Sequence, residues 1–154
     1  MSSNAATIAQ LRAHLSKIAP MRTNAPPVST SIPGLDAEIE GWPCPGVVSI
    51  HGAIGTGRIG VVLPIMQTHT QNERTIAIVD PLGWLYPPGL PGLNLQKLMI
   101  VRCGAHRSSW AAAQLASSGA IPLVLLLDPP ALRADAKRLN RAAESGQSTI
   151  FVLT

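Results

Sequence analysis

The residues of this chain whose types and spacing could do chemistry begin with a glycine loop, Gly52-Ala53-Ile54-Gly55-Thr56-Gly57-Arg58-Ile59. A loop that cradles phosphate reads G-x-x-x-x-G-K-[ST] between a strand and a helix. Its backbone N–H groups hold the anion, its lysine reaches the β- and γ-phosphates, and its hydroxyl holds magnesium. Gly52 and Gly57 keep the anchor spacing. Arg58 stands where the lysine belongs; it retains the charge on a longer, planar head group that does not replace an ammonium conservatively. Ile59 stands where the hydroxyl belongs and can ligate nothing. The loop N–H groups could still hold an anion, since that needs no side chain. The expectation is a relic loop that does not hydrolyse nucleotide, with no cofactor. Residual nucleotide or anion binding without turnover is the alternative.

Two acids end apolar runs, Asp80 after Thr75–Val79 and Asp128 after Leu123–Leu127. Cys103 and His106 have one close spacing, but Cys44 and His51 form no matched pair, so no metal site is expected and the thiols read as buried. Arg133, Lys137, Arg138 and Arg141 form a basic face that is either solvated or a contact for phosphate or an acidic partner. No aromatic residues interleave with it, so a platform for single-stranded nucleic acid is not expected. DNA binding is read as weak or absent. Trp84 and Tyr86 sit in a Pro- and Gly-rich stretch near the surface, as partner contacts or as a cap on a sheet edge.

The elements that must position these residues follow from periodicity. Val47–Ile50, Thr75–Val79, Leu98–Arg102, Leu123–Leu127 and Thr149–Leu153 are short continuous apolar runs. Ile59–Met66, Ser108–Ser118 and Leu132–Glu144 read as helices between them, the second capped by Ser108 or Ser109 and the third ended by Gly146. Gly34–Glu40 reads as one more short helix. Apolar strands alternating with helices predict a parallel sheet covered on both faces. Ahead of this core, Ile8, Leu11, Leu15 and Ile18 make an amphipathic stripe, and Pro26-Pro27 belongs to an extended linker. Residues 1–27 are therefore read as an arm and 28–154 as the core domain. The arm's stripe is expected to bury itself on this core or on another chain.

Composition bounds the class. Of the 154 residues 46% are hydrophobic and only 13% charged, with 12 Lys plus Arg against 8 Asp plus Glu. A typical soluble domain is about 25% charged, so a surface this poor in charge points to a partner. The longest apolar stretch, Ile121–Leu127, is interrupted by Pro122 and is far short of the ~20 residues a spanning helix needs. No membrane association is expected, and with no secretory leader in Met1–Ala6 the chain is read as cytoplasmic.

The order of these pieces resembles the ATPase core of RecA-like proteins. Ser29-Thr30-Ser31-Ile32-Pro33-Gly34-Leu35-Asp36 matches the family's S-T-G-x-x-x-L-D segment, and Gly41-Trp42-Pro43-Cys44-Pro45-Gly46 its G-G-L-P-x-G turn. The glycine loop follows in register, and Asp128 matches the Walker B aspartate. The resemblance covers roughly residues 28–154 and implies a three-layer α/β fold with a mostly parallel sheet of about five strands. It also exposes departures. The family's catalytic glutamate falls on Leu82, and no sensor glutamine follows the last strand. Lysine, hydroxyl, glutamate and glutamine are all missing, which implies a scaffold no longer selected for hydrolysis.

Shortened RecA-like proteins of this kind resemble two bacterial groups. One is the ImuA type, accessory proteins of damage-induced mutagenesis that work with a Y-family polymerase-like protein. The other is the SulA type, inhibitors that bind the tubulin-like division protein. The resemblance implies a non-catalytic adaptor in the DNA-damage (SOS) response, supporting translesion synthesis through contacts with that polymerase-like protein or other replication and repair proteins. RecA or a second copy is the expected dock for the arm. A SulA-like division inhibitor is the alternative, and a residual nucleotide-binding ATPase a second one.

Overall fold

Apart from the terminal Arg102 of the third, the predicted strands are uncharged runs of mostly β-branched and aliphatic residues, which is what a strand covered on both faces requires. The computed structural model describes residues 26–130 and 132–154, and the side chains of Leu132 and Arg133 are outside the description. The stripe Ile8, Leu11, Leu15 and Ile18 therefore lies outside the described residues, as does the side chain of Arg133.

The chain forms α1 (Pro33–Ile39), β1 (Gly46–Ile50), α2 (Arg58–Gln71), β2 (Ile76–Val79), β3 (Leu98–Val101), α3 (Ser108–Ser117), β4 (Leu123–Leu127), α4 (Leu132–Gly146) and β5 (Thr149–Leu153). The five strands make one sheet in the order β1-β5-β4-β2-β3, every neighbouring pair parallel. Because side chains alternate across a strand, each strand feeds two cores. Ala77, Val79, Val124, Leu126, Ile150 and Val152 pack under α3 and α4. Ile76, Ile78, Leu123, Leu125, Phe151 and Leu153 pack under α2, with Leu35 of α1 against the same cluster. This is the three-layer α/β fold expected from the sequence. No helix among the described residues is long and apolar enough to cross a membrane.

Small residues set the spacing on the first face. Ala111, Ala112, Ala113 and Ala116 of α3 are buried against Ala142 and Ala143 of α4. At Gly146 the backbones come so close that an added Cβ would run into the Ala116 carbonyl.

Three local expectations change. The serines do not cap α3: its N-cap is Arg107, with no side-chain cap bond. A short 3₁₀ turn, Ala105–Arg107, leads directly into the helix, the Ser108 N–H bonds to Ala105 O, and the Ser108 hydroxyl donates to the same carbonyl at 2.7 Å. Ser108 and Ser109 are consequently buried in the first turn rather than standing before it. Helix α2 runs on past Met66 to Gln71, through polar residues that carry no apolar period; Thr68 turns its hydroxyl back onto Pro64 O at 3.0 Å. Helix α4 includes Gly146 instead of stopping before it.

Candidate functional site

Strand β1 delivers the glycine loop at its C-terminal end, next to β5, while β4 lies one strand further on. Gly55 and Gly57 take positive φ of 89° and 86°, and Gly57 is the N-cap of α2; that left-handed conformation is open to glycine at no steric cost. Thr56 folds back, its hydroxyl donating to Ala53 O at 2.7 Å, and its Oγ1 would lie 2.8 Å from a Cβ on Gly52. The loop is seated by Thr154: the Gly52 N–H donates to Thr154 O at 2.9 Å and the Thr154 N–H to Ile50 O at 3.0 Å. Ile54 projects from the tip into solvent.

Arg58, the first residue of α2, turns across the ends of the strands to Asp128. Nη1 donates to Oδ1 at 2.9 Å and Nη2 to Oδ2 at 3.4 Å, a two-pronged pair of the kind arginine makes and lysine cannot. The arginine side chain is 10% exposed and the aspartate 30%. Asp128 itself has φ 40° and donates its N–H to Leu153 O at 2.8 Å. The two residues that a nucleotide site would direct at phosphate and magnesium are thus bonded to each other. Ile59 is half-buried against the core beneath α2, which accounts for an aliphatic residue where a metal-binding hydroxyl would otherwise stand.

Asp80 does not join this pair. It is 1% exposed, and its carboxylate accepts the N–H groups of Gly83 at 2.9 Å, Trp84 at 3.3 Å and Leu85 at 3.0 Å. Arg102 approaches from outside, 3.9 Å from Oδ2, and donates to Leu85 O at 3.3 Å. The strand-end acid therefore organises the crossover between β2 and β3. Leu85 is buried as its anchor, while Trp84 and Tyr86 stand out, 67% and 71% exposed, with Leu82 half-exposed beside them.

On α4, Lys137, Arg138 and Arg141 are exposed, and Arg138 pairs with Asp135 at 3.4 Å. The basic face is therefore partly neutralised from its own helix. Both cysteines are free and half-buried rather than fully buried, and among the described residues no three His, Cys, Asp or Glu side chains converge on a point.

The opposite end of the sheet holds a cavity that the sequence did not announce. There Trp42 meets Phe151 edge to face, ring centroids 5.1 Å apart. They border an apolar cavity of about 160 Å³ together with Val28, Ile65, His69 and Leu123. Burial, and then the Arg74 charge, hold the His69 pKa below its ordinary value. The Arg58–Asp128 pair was equally hidden by sequence distance, although the loss of lysine together with retention of the aspartate was a clue to it.

No family model matches the chain, and no curated protein sequence matches it. Among solved structures, the crystal structure of SulA from Pseudomonas aeruginosa is similar, with a TM-score of 0.58 and 19% identity over 70% of this chain and 95% of that one. At that identity the likeness speaks for the fold alone.

Proposed function

We propose that this chain is a non-catalytic protein of RecA-like fold that acts in the bacterial DNA-damage response through protein–protein contacts, as a SulA-like inhibitor of cell division. The observation that carries the non-catalytic part is the bidentate Arg58–Asp128 pair, which satisfies the cation and the anion of the old phosphate site with each other. Phosphoryl transfer needs those charges aimed at phosphate and metal. The fold likeness to SulA supports the direction of the proposal. The crossover that Asp80 ties down, presenting Trp84 and Tyr86, is the contact surface that fits it, since exposed aromatics are the usual anchors of an interface.

The test is expression in a rod-shaped bacterium, together with light scattering by the purified tubulin-like division protein. Filamentous cells and suppressed GTP-dependent polymer support the reading; normal division and undiminished polymer reject it. Magnesium-dependent ATP hydrolysis that disappears in Asp128→Ala would refute the non-catalytic part.

A translesion-synthesis adaptor of the ImuA type is the second reading. It is favoured by the stripe Ile8, Leu11, Leu15 and Ile18 with its Pro-rich linker. It predicts co-purification with the Y-family polymerase-like protein and loss of damage-induced mutagenesis on deletion, with division unaffected.

A further inference from the structure

The cavity between Trp42 and α2 lies at the N-terminal ends of β4 and β5, away from both the glycine loop and the crossover. Leu123 and Thr149 are the first residues of those strands, and Ile65 and His69 come from the second half of α2. Val28 and Trp42 complete the wall, joined by backbone hydrogen bonds of 2.8 and 2.7 Å. The Thr149 hydroxyl donates to Pro43 O at 2.9 Å and so ties the Trp42 turn to β5.

Size and lining limit what fits. The cavity holds about 160 Å³, and an apolar cavity of about 150 Å³ takes one benzene ring. Trp42 and Phe151 already meet edge to face, an arrangement that a third ring extends. Charge at the mouth limits it further. Arg74 borders the cavity and also an open groove of about 530 Å³ beside it. Its side chain is exposed and has no carboxylate partner among the described residues; the neighbouring Glu73 pairs with Lys97 at 3.0 Å instead. His69 on the same wall is pushed toward its neutral form, by burial first and the Arg74 charge second. The guanidinium is therefore the positive charge that an entering molecule meets.

We propose that this cavity is a binding site for a small aryl carboxylate, its ring enclosed against Trp42 and Phe151 and its carboxylate paired with Arg74 at the mouth. The planar fork of arginine takes a carboxylate through two parallel N–H···O bonds. A single unpaired cation matches a single negative charge, and the open groove leaves the charged end of the ligand in contact with water. The ring displaces no internal hydrogen bond of Trp42: its Nε1–H is the one buried side-chain polar atom without a partner among the described residues.

That indole N–H is also the reporter. Benzoate is titrated into the isotope-labelled chain at constant ionic strength, and the indole signals are followed by nuclear magnetic resonance. Trp84→Phe and Trp110→Phe, both at exposed positions, identify the other two signals and leave that of Trp42. The Trp42 signal is expected to shift saturably, with half-saturation below about 1 mM. Benzamide, which keeps the ring and loses the charge, is expected to bind at least about tenfold more weakly. Arg74→Gln is expected to bring benzoate to the benzamide level while circular dichroism stays native. A Trp42 signal unmoved at about 10 mM benzoate, the result if residues 1–25 of the same chain fill the cavity, overturns the proposal. So does a shift confined to the Trp84 and Trp110 signals, equal binding of benzamide, or benzoate binding indifferent to Arg74→Gln. Should Arg74→Gln fail to fold, benzoate against benzamide on the wild-type chain decides. No division protein enters the measurement, so its outcome is separate from that of the division assay.

Discussion

Arg58 and Asp128, seventy positions apart in the chain, meet through two hydrogen bonds of 2.9 and 3.4 Å at the mouth of the glycine loop. Removing the guanidinium leaves a carboxylate with most of its surface out of water and no counter-charge. Arg58→Ala is expected to cost about 1–2 kcal/mol, the lower end of the range for breaking such a pair because Asp128 keeps some solvent. Urea denaturation measures it. Arg58→Lys, which restores the phosphate-loop lysine, is expected to give no phosphate release above background, because Ile59 and Leu82 still lack a metal ligand and a base.

Asp80 is the more expensive residue to lose. Asp80→Ala orphans three N–H groups in the crossover at once and is expected to destabilise the chain by about 3 kcal/mol. Asp80→Asn, which keeps one acceptor oxygen, should lose less. The denaturation midpoints of the two variants give the order.

Trp84→Ala and Tyr86→Ala act in the opposite sense. Both side chains are mostly in solvent, so stability should change by no more than about 0.5 kcal/mol. Inhibition of polymer by the division protein should weaken roughly 30-fold, the effect of losing an interface anchor worth about 2 kcal/mol. Wild-type inhibition by both variants would remove the crossover from the contact surface.

Gly146→Ala tests the approach of α4 to α3. The new methyl has backbone rather than a flexible side chain in its way, so the helices must part. A loss of about 3 kcal/mol is expected, the upper end for overpacking, and thermal unfolding reads it directly.

Stability should fall on acidification in two separate windows. His69 has its pKa lowered by burial first and the Arg74 charge second. The unfolded chain therefore takes up a proton at that site before the folded one does. Its contribution is complete above the ordinary value of 6.5, is lost as pH falls from there through the lowered folded value, and is level below that. Asp36 has its pKa lowered chiefly by the Ser29 hydroxyl and then by the Thr30 N–H, so its contribution is present above 3.8 and lost as pH falls through its own lowered value. Chemical denaturation at stepped pH should show the first loss abolished in His69→Gln and the second in Asp36→Asn.

The sheet was legible because its strands are buried on both faces. A run such as Leu123–Leu127 or Thr149–Leu153 carries no other pattern that would suit so short a segment, and the structure ends these two where the apolar run ends. The helix termini were less so. A serine before an alanine-rich helix suggests a cap from composition, and only the 3₁₀ turn at Ala105–Arg107 shows that the first N–H is already satisfied. At the site, the sequence revealed what the loop had lost but not what had replaced it. The partner of Arg58 depends on β4 lying two places from β1, with β5 between them, and strand order is not written in local periodicity. The orientation of Asp80 was hidden for a related reason: a carboxylate that caps a turn and one that assists catalysis look alike until the N–H groups around them are placed.

The Arg58–Asp128 pair also bears on timing. In a nucleotide-driven protein the charges at this loop bind, wait and release, and the interval between those events sets how long the molecule stays on. Here the two charges satisfy each other within one chain, so on the proposed reading no such interval exists. The protein is on as soon as it is folded. The cell would then set its effect by how much is made and how quickly it is destroyed, and a single exposed surface would suffice as the whole of its output.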